Sequence, residues 1–237
     1  MNKQHIVEEC HTLINAYKSG LLGQTIMPED THPEFKSQEE RLSYFTLPMA
    51  LNYQRDSYKL WKAALNTYND QETRDVFTLN TSNLKSKLLK YKLALQPNKH
   101  IHTWETIQKT IITQFGSFEK LFSKADNDFL KLKEIIQIKF KSGFPYLSGP
   151  KIFNYWSFIM GTYGKTKLKN RQFIDIAPDT HITQCSIKLG VISKSESQDK
   201  ILISNKWREL LTGSDIDPID MHAPLWFWSR NGFIYKP

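Results

Sequence analysis

Residues 139–160 read KFKSGFPYLSGPKIFNYWSFIM, and this is the most informative stretch of the sequence. An amphipathic helical pattern ends at Gly143, a short turn with proline and glycine follows, and a second, more apolar helix begins near Pro150. The stretch therefore predicts a helix, a hairpin and a second helix. Such a turn directs backbone N–H groups outward at the positive end of the second helix, where a nucleic-acid phosphate is a natural ligand. Gly149 would let that backbone approach the ligand closely.

Helical patterns also dominate the rest of the chain. Strand signals are few, and Pro48 is expected to break or kink the second of the long helical patterns. Apolar residues recur at spacings of three and four in residues 5–20, 39–68, 83–95, 103–115 and 129–140. We predict an all-α fold of about ten short to medium helices, without internal repeats or a long linker.

Composition excludes several classes of protein. The 237 residues are 40% apolar, which is enough to bury a sizeable core. No run reaches the roughly 18 apolar residues of a membrane span, and the N-terminus lacks the basic-then-apolar order of a signal peptide. Cys10 and Cys185 are too few for a zinc site or an iron–sulfur cluster, and the histidines lack metal-ligand spacing. We expect a cytosolic monomer with no metal, cofactor or membrane partner.

The charge of the chain favours a polyanionic partner. Thirty-two Lys and Arg against 24 Asp and Glu leave a net charge of +8, and cationic side chains bind nucleic acid by releasing phosphate counterions. The excess lies between Lys85 and Arg171, in runs such as LKSKLLKYK, LKLKEIIQIKFK and KTKLKNR. A basic face on the middle of the chain is the simplest explanation, although any single run is explained as well by lysines that solvate a helix surface.

The hairpin resembles that of the helix-hairpin-helix DNA glycosylase superfamily, which includes endonuclease III and the 8-oxoguanine glycosylases. The family's hairpin reads L-P-G-V-G-x-K. When Gly149 is aligned with its second glycine, Leu147 replaces the first glycine and Ser148 the small apolar residue. The resemblance then places Lys151 on the catalytic lysine of the bifunctional members, and Ser148 and Gly149 on the DNA backbone. By its position alone, Lys151 could equally contact a phosphate or lie exposed at a helix start.

A lysine suits this chemistry because a neutral amine can attack the sugar carbon C1′ and expel the base. The resulting Schiff base permits strand cleavage by elimination. Only the neutral amine attacks, so we expect burial and the start of the helix to disfavour the ammonium form of Lys151.

A second motif follows in residues 173–193, FIDIAPDTHITQCSIKLGVIS. Pattern alone makes Asp179 the N-cap of a helix. The segment Asp179-Thr180-His181-Ile182 also resembles the family's V-D-T-H motif, whose aspartate is the catalytic carboxylate, and KLGVIS is similar to the R-x-L-G-L that often follows it. A fixed carboxylate can stabilise the positive charge that builds on the deoxyribose, or accept a proton from the attacking amine.

The spacing between the lysine and the aspartate is longer here than in relatives of endonuclease III, by about one basic loop, GTYGKTKLKNR. Longer spacings occur in divergent archaeal 8-oxoguanine members. The loop, with Lys165 and Lys167, either contacts DNA or is a neutral insertion.

Two further regions complete the predicted site. An enzyme that acts on a base must take it out of the stack, so a wedge and an enclosing pocket are needed. One segment, FTLPMALNYQRDSYKLW, is predicted to be helical and is similar to the family's L-S-x-Q-x-T-D segment. The resemblance makes Gln54 the first candidate, and Asn52 the second, for the wedge that fills the space left in the duplex by the flipped base. Both could also be ordinary exposed helix residues. The base pocket is predicted from PIDMHAPLWFWSRNG and the second motif, at Asp220, Trp226, Trp228 and His181. Residues two apart on a helix cannot face the same side, so at most one of the two tryptophans is expected to line the pocket.

These features predict a two-lobed, all-helical DNA glycosylase with its active site in the cleft between the lobes. Residues 46–172 would form a basic lobe ending in the hairpin, and residues 1–45 with 173–237 the other lobe. The partner would be double-stranded DNA containing a damaged or modified base. The substrate would be an oxidised base such as 8-oxoguanine, in repair, or a modified phage base such as glucosylated hydroxymethylcytosine, in defence. A non-catalytic DNA-binding module and an RNA-binding helical protein are the alternatives.

Overall fold

The computed structural model describes residues 3–79 and 81–237, and within these ranges the protein is all-helical, as predicted. One isolated bridge between Asp128 and Lys169 is the only β-type pairing found in these ranges. The α-helices are α1 (Lys3–Lys18), α2 (Gln38–Thr46), α3 (Ser57–Asn69), α4 (Leu84–Lys90), α5 (Pro97–Thr110), α6 (Phe118–Lys124), α7 (Phe129–Lys133), α8 (Pro150–Thr162), α9 (Thr180–Lys188), α10 (Lys200–Leu211) and α11 (His222–Arg230).

Two of these helices continue directly into π-helical segments. The α5 helix passes directly into a π-helical segment, Ile111–Phe115, and α7 passes into a second one, Glu134–Lys139. Such segments are uncommon, and inside helices they often occur near functional sites. The second segment leads through a short 3₁₀ turn, Lys141–Gly143, into the hairpin before α8.

The chain divides into two compact units. The first comprises the described residues up to Met27 together with Asn170–Pro237, and the second comprises Pro28–Lys169. In the first unit, α11 packs against α9 and α1. The Tyr17 and Phe227 rings stack with their centroids 5.9 Å apart, and the Cys185 thiol lies 3.0 Å from the Leu225 carbonyl oxygen. These contacts join α11 to α1 and to α9, the helix that Asp179 caps.

The core of the second unit is aromatic. Tyr44, Phe45 and Trp61 are at most 1% exposed and meet one another with ring centroids 5.2 to 5.8 Å apart. On α8, Trp156 is fully buried and donates its indole N–H to Thr46 Oγ1 at 3.1 Å. Aromatic pairs and a satisfied indole stabilise a core beyond the burial of their area. The packing therefore fixes α8, and with it the hairpin, against α2.

The wedge segment differs from the helix expected over residues 45–61. Pro48 does interrupt the helix, as predicted: α2 ends at Thr46, and a 3₁₀ turn, Met49–Leu51, follows. An irregular loop at residues 52–56 then precedes α3, whose N-cap is Asp56. Asn52 and Gln54 therefore lie on a loop, because the Asp56 side chain starts a new helix by accepting the Lys59 N–H at 3.0 Å.

None of the described helices is long and apolar enough to cross a membrane.

Candidate active site

The hairpin before α8 is held by its own backbone. Ser148 N–H donates to Phe144 O at 2.9 Å, and Gly149 N–H donates to Tyr146 O at 3.0 Å. The N–H groups that were expected to face outward from Ser148 and Gly149 are thus used inside the turn. The first helical hydrogen bond of α8 joins Phe153 N–H to Gly149 O, so the backbone donors that a phosphate can reach are those of Lys151 and Ile152.

Two glycines allow this turn to form. A Cβ on Gly143 would lie 2.6 Å from Thr110 Oγ1, and a Cβ on Gly149 would lie 3.1 Å from Tyr146 O. The 3₁₀ turn that contains Gly143 therefore approaches Thr110 of α5 so closely that a residue with a Cβ atom would not fit at position 143. Gln137 adds a further link, since its Nε2 donates to Ser148 O at 3.0 Å.

Lys151 lies at the second position of α8 with its side chain exposed. The burial that was expected around its amine is absent from the free protein, because Gly149 caps the helix without a side chain and Pro150 beside it is also exposed. The amine is therefore open to a substrate at the positive end of a helix of 13 residues.

Asp179 is the N-cap of α9, as its position in the sequence predicts. Its Oδ1 accepts the Ile182 N–H at 2.9 Å, and its Oδ2 accepts the Trp226 indole N–H at 3.0 Å. The side chain is only partly buried. Each carboxylate oxygen thus has one fixed donor and lone pairs to spare, an arrangement that orients negative charge before any ligand arrives.

Trp226 and His181 form one cluster with Asp179. The Trp226 ring meets His181 edge-on with centroids 5.3 Å apart, and the Arg230 guanidinium lies over the Trp226 ring, 4.7 Å from its centroid. His181 Nδ1 is 3.0 Å from Ser229 Oγ, which in turn donates to Gln184 Oε1 at 2.8 Å. Since the Ser229 hydroxyl has one proton to give, His181 Nδ1 carries the hydrogen in this arrangement.

The other predicted pocket residues have structural partners. Trp228 is 1% exposed and donates its indole N–H to Tyr235 O at 2.7 Å, so only Trp226 of the pair contacts Asp179, in keeping with their helical spacing. Asp220 forms an ion pair with Arg171, whose Nε is also 3.2 Å from Asp217 Oδ2. Burial raises the pKa of Asp220, and Arg171 opposes that shift.

The structure groups the predicted residues by unit. Asp179, His181 and Trp226 meet in the first unit, whereas Lys151 and the wedge loop belong to the second. No family model and no curated protein matches this chain. The pairing of Lys151 with Asp179 stays a prediction.

The wedge loop presents Gln54 at its tip. Gln54 is exposed and adopts a left-handed backbone with φ of 50°, a conformation that costs a non-glycine residue about 1 kcal/mol or more and is often found at functional sites. Asn52 does not project in the same way, because its Nδ2 donates to Ser57 Oγ at 3.1 Å. Arg55 anchors the loop by donating a hydrogen bond to Leu93 O at 2.8 Å.

The wedge loop and the hairpin touch through two tyrosines. The rings of Tyr53 and Tyr146 stack with their centroids 5.4 Å apart and their planes 28° from parallel. Tyr53 is 47% exposed, and Tyr146 has a positive φ of 59°. The stack therefore brings Gln54 and the start of α8 onto neighbouring surface, although nearly a hundred residues separate them in sequence.

The basic loop after α8 is extended, with side chains that alternate. Lys165, Lys167 and Lys169 are exposed, while Thr166 and Leu168 between them are buried. Thr166 Oγ1 donates to Met160 O at 2.8 Å, and Lys169 Nζ pairs with Asp126 at 2.9 Å. The loop thus holds a row of cations on the outside of the second unit.

Sequence reasoning missed one group entirely. Glu29 is fully buried, and both of its carboxyl oxygens lie 3.1 Å from the hydroxyl of Tyr155 on α8. Burial raises the pKa of Glu29 to about 7. A glutamate between Pro28 and Asp30, in a loop rich in charged and turn residues, reads as a surface residue, so no local pattern could have found it. No group of three or more potential metal-ligating side chains is found among residues 3–79 and 81–237.

Proposed function

We propose that this protein is a DNA glycosylase of the helix-hairpin-helix type, which flips a damaged or modified base out of duplex DNA and cleaves its N-glycosidic bond. The observation that carries the proposal is the fixed orientation of the Asp179 carboxylate. Its carboxylate lies at the start of α9 within the sequence Asp-Thr-His and is oriented by Ile182 N–H and the Trp226 indole. The Trp226 ring lies next to that carboxylate, and a flipped base could stack on it by displacing the exposed Arg230 side chain.

The hairpin supports the same reading from the second unit. An exposed amine at Lys151, the open N-terminus of α8 and the left-handed Gln54 tip all belong to one neighbourhood of that unit, joined by the Tyr53 and Tyr146 rings. A helix N-terminus binds a phosphate, and a polar loop tip fills the gap that an extruded base leaves. The exposed Lys165 and Lys167 supply further charge for the DNA backbone.

In the proposed reaction, the neutral amine of Lys151 attacks C1′ of the flipped nucleotide. The bond between C1′ and the base breaks, and the base leaves with the electron pair and takes up a proton. The Asp179 carboxylate stabilises the positive charge that builds on the sugar. The covalent product rearranges to a Schiff base, from which elimination can cleave the strand. The reaction requires Lys151 and Asp179 to reach the same nucleotide in the complex with DNA.

Two substrate classes follow from this proposal. One is an oxidised base such as 8-oxoguanine, in repair; the other is a modified phage base such as glucosylated hydroxymethylcytosine, in defence against phage. Duplexes that carry each base at a single position, together with normal and abasic controls, should be incubated with the protein and the released bases identified by mass spectrometry. We expect release of one class and none from the unmodified duplex.

Asp179→Asn tests the residue that carries the proposal, and the chain supplies a matched control. Asp199 caps α10 in the same way, with Oδ1 accepting the Ile201 and Leu202 N–H groups at 3.0 and 2.9 Å. Asp179→Asn should lower the rate of base release by roughly 10²-fold or more, whereas Asp199→Asn should leave it within about twofold. Near-normal release by Asp179→Asn would reduce Asp179 to a helix cap.

A non-catalytic DNA-binding module is the second candidate, and the exposure of Lys151 favours it to the same degree, since a phosphate-contacting lysine would also be exposed. This candidate predicts DNA binding with no base released from any duplex in the panel.

A further inference from the structure

A cavity of about 300 Å³ lies beside α5 in the second unit, and none of its lining residues belongs to the candidate active site. Its walls come from α5, from the π-helical segment that continues α5, and from the described residues around the start of α4. The apolar part consists of Leu79, Leu84 and Ile112, of which Ile112 is 43% exposed. Ligand pockets in proteins commonly have this size and combine apolar walls with a few polar groups.

Gln108 supplies a hydrogen-bond acceptor to this cavity. Its side chain is only 6% exposed, and one terminal atom lies 2.9 Å from Val76 O and 2.6 Å from Thr78 O. An atom that binds two carbonyl oxygens must be the amide nitrogen, and these bonds use both of its protons. The other terminal atom, Oε1, has no donor among residues 3–79 and 81–237 and is not enclosed, so it is open to a ligand in the cavity.

Two charged side chains of α5 flank this acceptor. Glu105 and Lys109 are exposed and line the same cavity, and their spacing of four residues places them on one face of the helix with Gln108. A glutamate four residues before a lysine is the favourable order for an ion pair within a helix. In the part of the chain that the structure describes, however, neither side chain has an ion-pair partner. Both charges are therefore available to a ligand.

The cavity wall also includes a wide helical turn. Ile112 and Thr113 belong to Ile111–Phe115, the π-helical segment that follows α5. Segments of this kind are rare and occur frequently at functional sites. The position of this segment indicates a binding role for the end of α5 independently of the side chains that α5 carries.

We propose that this cavity binds a guanine base. Along α5 the cavity offers, in order, the charged acceptor of Glu105, the neutral acceptor Gln108 Oε1 and the charged donor of Lys109. The base-pairing edge of guanine carries the complementary groups in the same order: the N2 amino donor, the N1–H donor and the O6 acceptor. Adenine, cytosine and thymine each have one donor group on this edge, so none of them presents two neighbouring donors followed by an acceptor. The apolar walls cover the faces of the ring.

This site goes beyond the proposed glycosylase function and does not depend on it. Guanine occurs as a free nucleotide and as an unpaired base in a nucleic-acid strand, and both sources present the same edge. The experiment therefore tests the recognition of guanine first and its source second.

Isothermal titration calorimetry with four nucleoside monophosphates tests the guanine edge atom by atom. Guanosine monophosphate should bind with a Kd of about 1 mM or lower. Inosine monophosphate lacks the N2 amino group that would bind Glu105, and should bind roughly tenfold more weakly. 1-Methylguanosine monophosphate has a methyl group in place of the N1–H that would bind Gln108 Oε1, and should not bind measurably. Adenosine monophosphate should not bind measurably either.

Variants at exposed residues connect these differences to the cavity, because such substitutions leave the fold intact. Glu105→Ala should bind guanosine and inosine monophosphates equally, since the carboxylate that distinguishes them is gone. Glu119→Ala, at an exposed glutamate of α6 that does not line the cavity, is the matched control and should keep the tenfold difference. Lys109→Ala should weaken binding of guanosine monophosphate severalfold. Lys99→Ala, at another exposed lysine of α5, should not.

A second titration distinguishes the two sources of guanine. A fluorescent single strand of thymidines that carries one guanine is compared with the same strand carrying hypoxanthine at that position. Binding that is tighter with guanine, and tighter than that of guanosine monophosphate, would identify a nucleic-acid strand as the source. Strands that bind equally well, beside a wild type that still prefers guanosine to inosine monophosphate, would identify the free nucleotide.

Two results would overturn the inference. One is the absence of any preference for guanine in both titrations; the other is a preference that persists unchanged in Glu105→Ala. Neither result concerns base release, which is assigned to residues outside this cavity, so the proposed function would survive both.

Discussion

The starts of α8 and α9 carry the two proposed catalytic groups, and they are built in opposite ways. Asp179 at the start of α9 has a fixed N–H donor on each oxygen. Lys151 at the start of α8 is exposed, behind a glycine cap that has no side chain. The Asp179 carboxylate is oriented in the free protein because a backbone N–H and an indole N–H bind its two oxygens. An amine that must be neutral to react gains nothing from a bound carboxylate, because such a partner favours its ammonium form.

The largest expected effect concerns Glu29, the buried acid that binds Tyr155 of α8. Because burial raises the pKa of Glu29 from 4.5 to about 7, the folded protein holds this proton more tightly than the unfolded chain. The free energy of unfolding should therefore be greatest below pH 4.5 and fall as the pH rises to about 7, by about 3 kcal/mol from this group. Denaturant unfolding at several pH values should show that Glu29→Gln loses this fall. Glu34→Gln, at an exposed carboxyl nearby, should keep it, and an identical pH dependence in all three proteins would refute the prediction.

The second effect compares the two helix starts directly. Asp179→Ala removes both a helix cap and the acceptor of the Trp226 indole, and should lower the free energy of unfolding by about 2 kcal/mol. Asp199→Ala removes a cap alone and should cost about 1 kcal/mol. Lys151→Ala should change stability by less than about 0.5 kcal/mol, since the side chain is exposed. Equal losses of unfolding free energy in Asp179→Ala and Lys151→Ala would show that the two helix starts do not differ in this way. Thermal or urea unfolding measures all three.

A third, smaller effect separates the two tryptophans of α11. Trp226→Phe keeps an aromatic ring beside His181 but removes the hydrogen bond to Asp179 Oδ2, so stability should fall by about 1 kcal/mol and base release by roughly tenfold. Trp228→Phe removes the hydrogen bond to Tyr235 O. It should cost similar stability with little effect on base release. If the two variants release base equally well, Trp226 has no part in orienting Asp179.

The smallest effect concerns the basic loop of the second unit. Lys165→Ala with Lys167→Ala should weaken binding to an undamaged duplex a few-fold. It should also reduce the slope of log K against log salt by about 2, since each phosphate contact contributes about 0.9. Lys169→Ala should change the slope less, because Lys169 is already paired with Asp126 at 2.9 Å. Titration by fluorescence anisotropy at several salt concentrations distinguishes the loop as a DNA contact from a neutral insertion.

Local patterns in the sequence were enough for part of this fold. Helical periodicity predicts the all-α architecture, Pro48 ends α2 early, and Asp179 caps α9. The two-residue spacing of Trp226 and Trp228 predicts that only one of them faces the site. Each of these depends on residues that are neighbours along one helix or turn, and such signals survive without knowledge of the fold.

Contacts across the chain could not be predicted in the same way. Glu29 and Tyr155 are 126 residues apart, and the Tyr53 and Tyr146 stack joins two loops with no shared motif. The hairpin also uses its N–H groups internally: Ser148 N–H binds Phe144 O and Gly149 N–H binds Tyr146 O, in a turn where Tyr146 adopts a left-handed backbone. Which groups a turn leaves free depends on its backbone conformation, and residue types alone do not specify it.

Covalent trapping with borohydride tests the central claim most directly. Reduction of the Schiff base during reaction with a processed duplex should link the protein to DNA, and peptide mapping should place the link on Lys151. Wild type should form this adduct, Lys151→Ala should not, and Lys141→Ala, at another exposed lysine before the hairpin, should form it normally. An adduct of normal yield in Lys151→Ala would contradict the role given to Lys151. Base release without any adduct in wild type would replace lysine attack with attack by a water molecule that Asp179 activates.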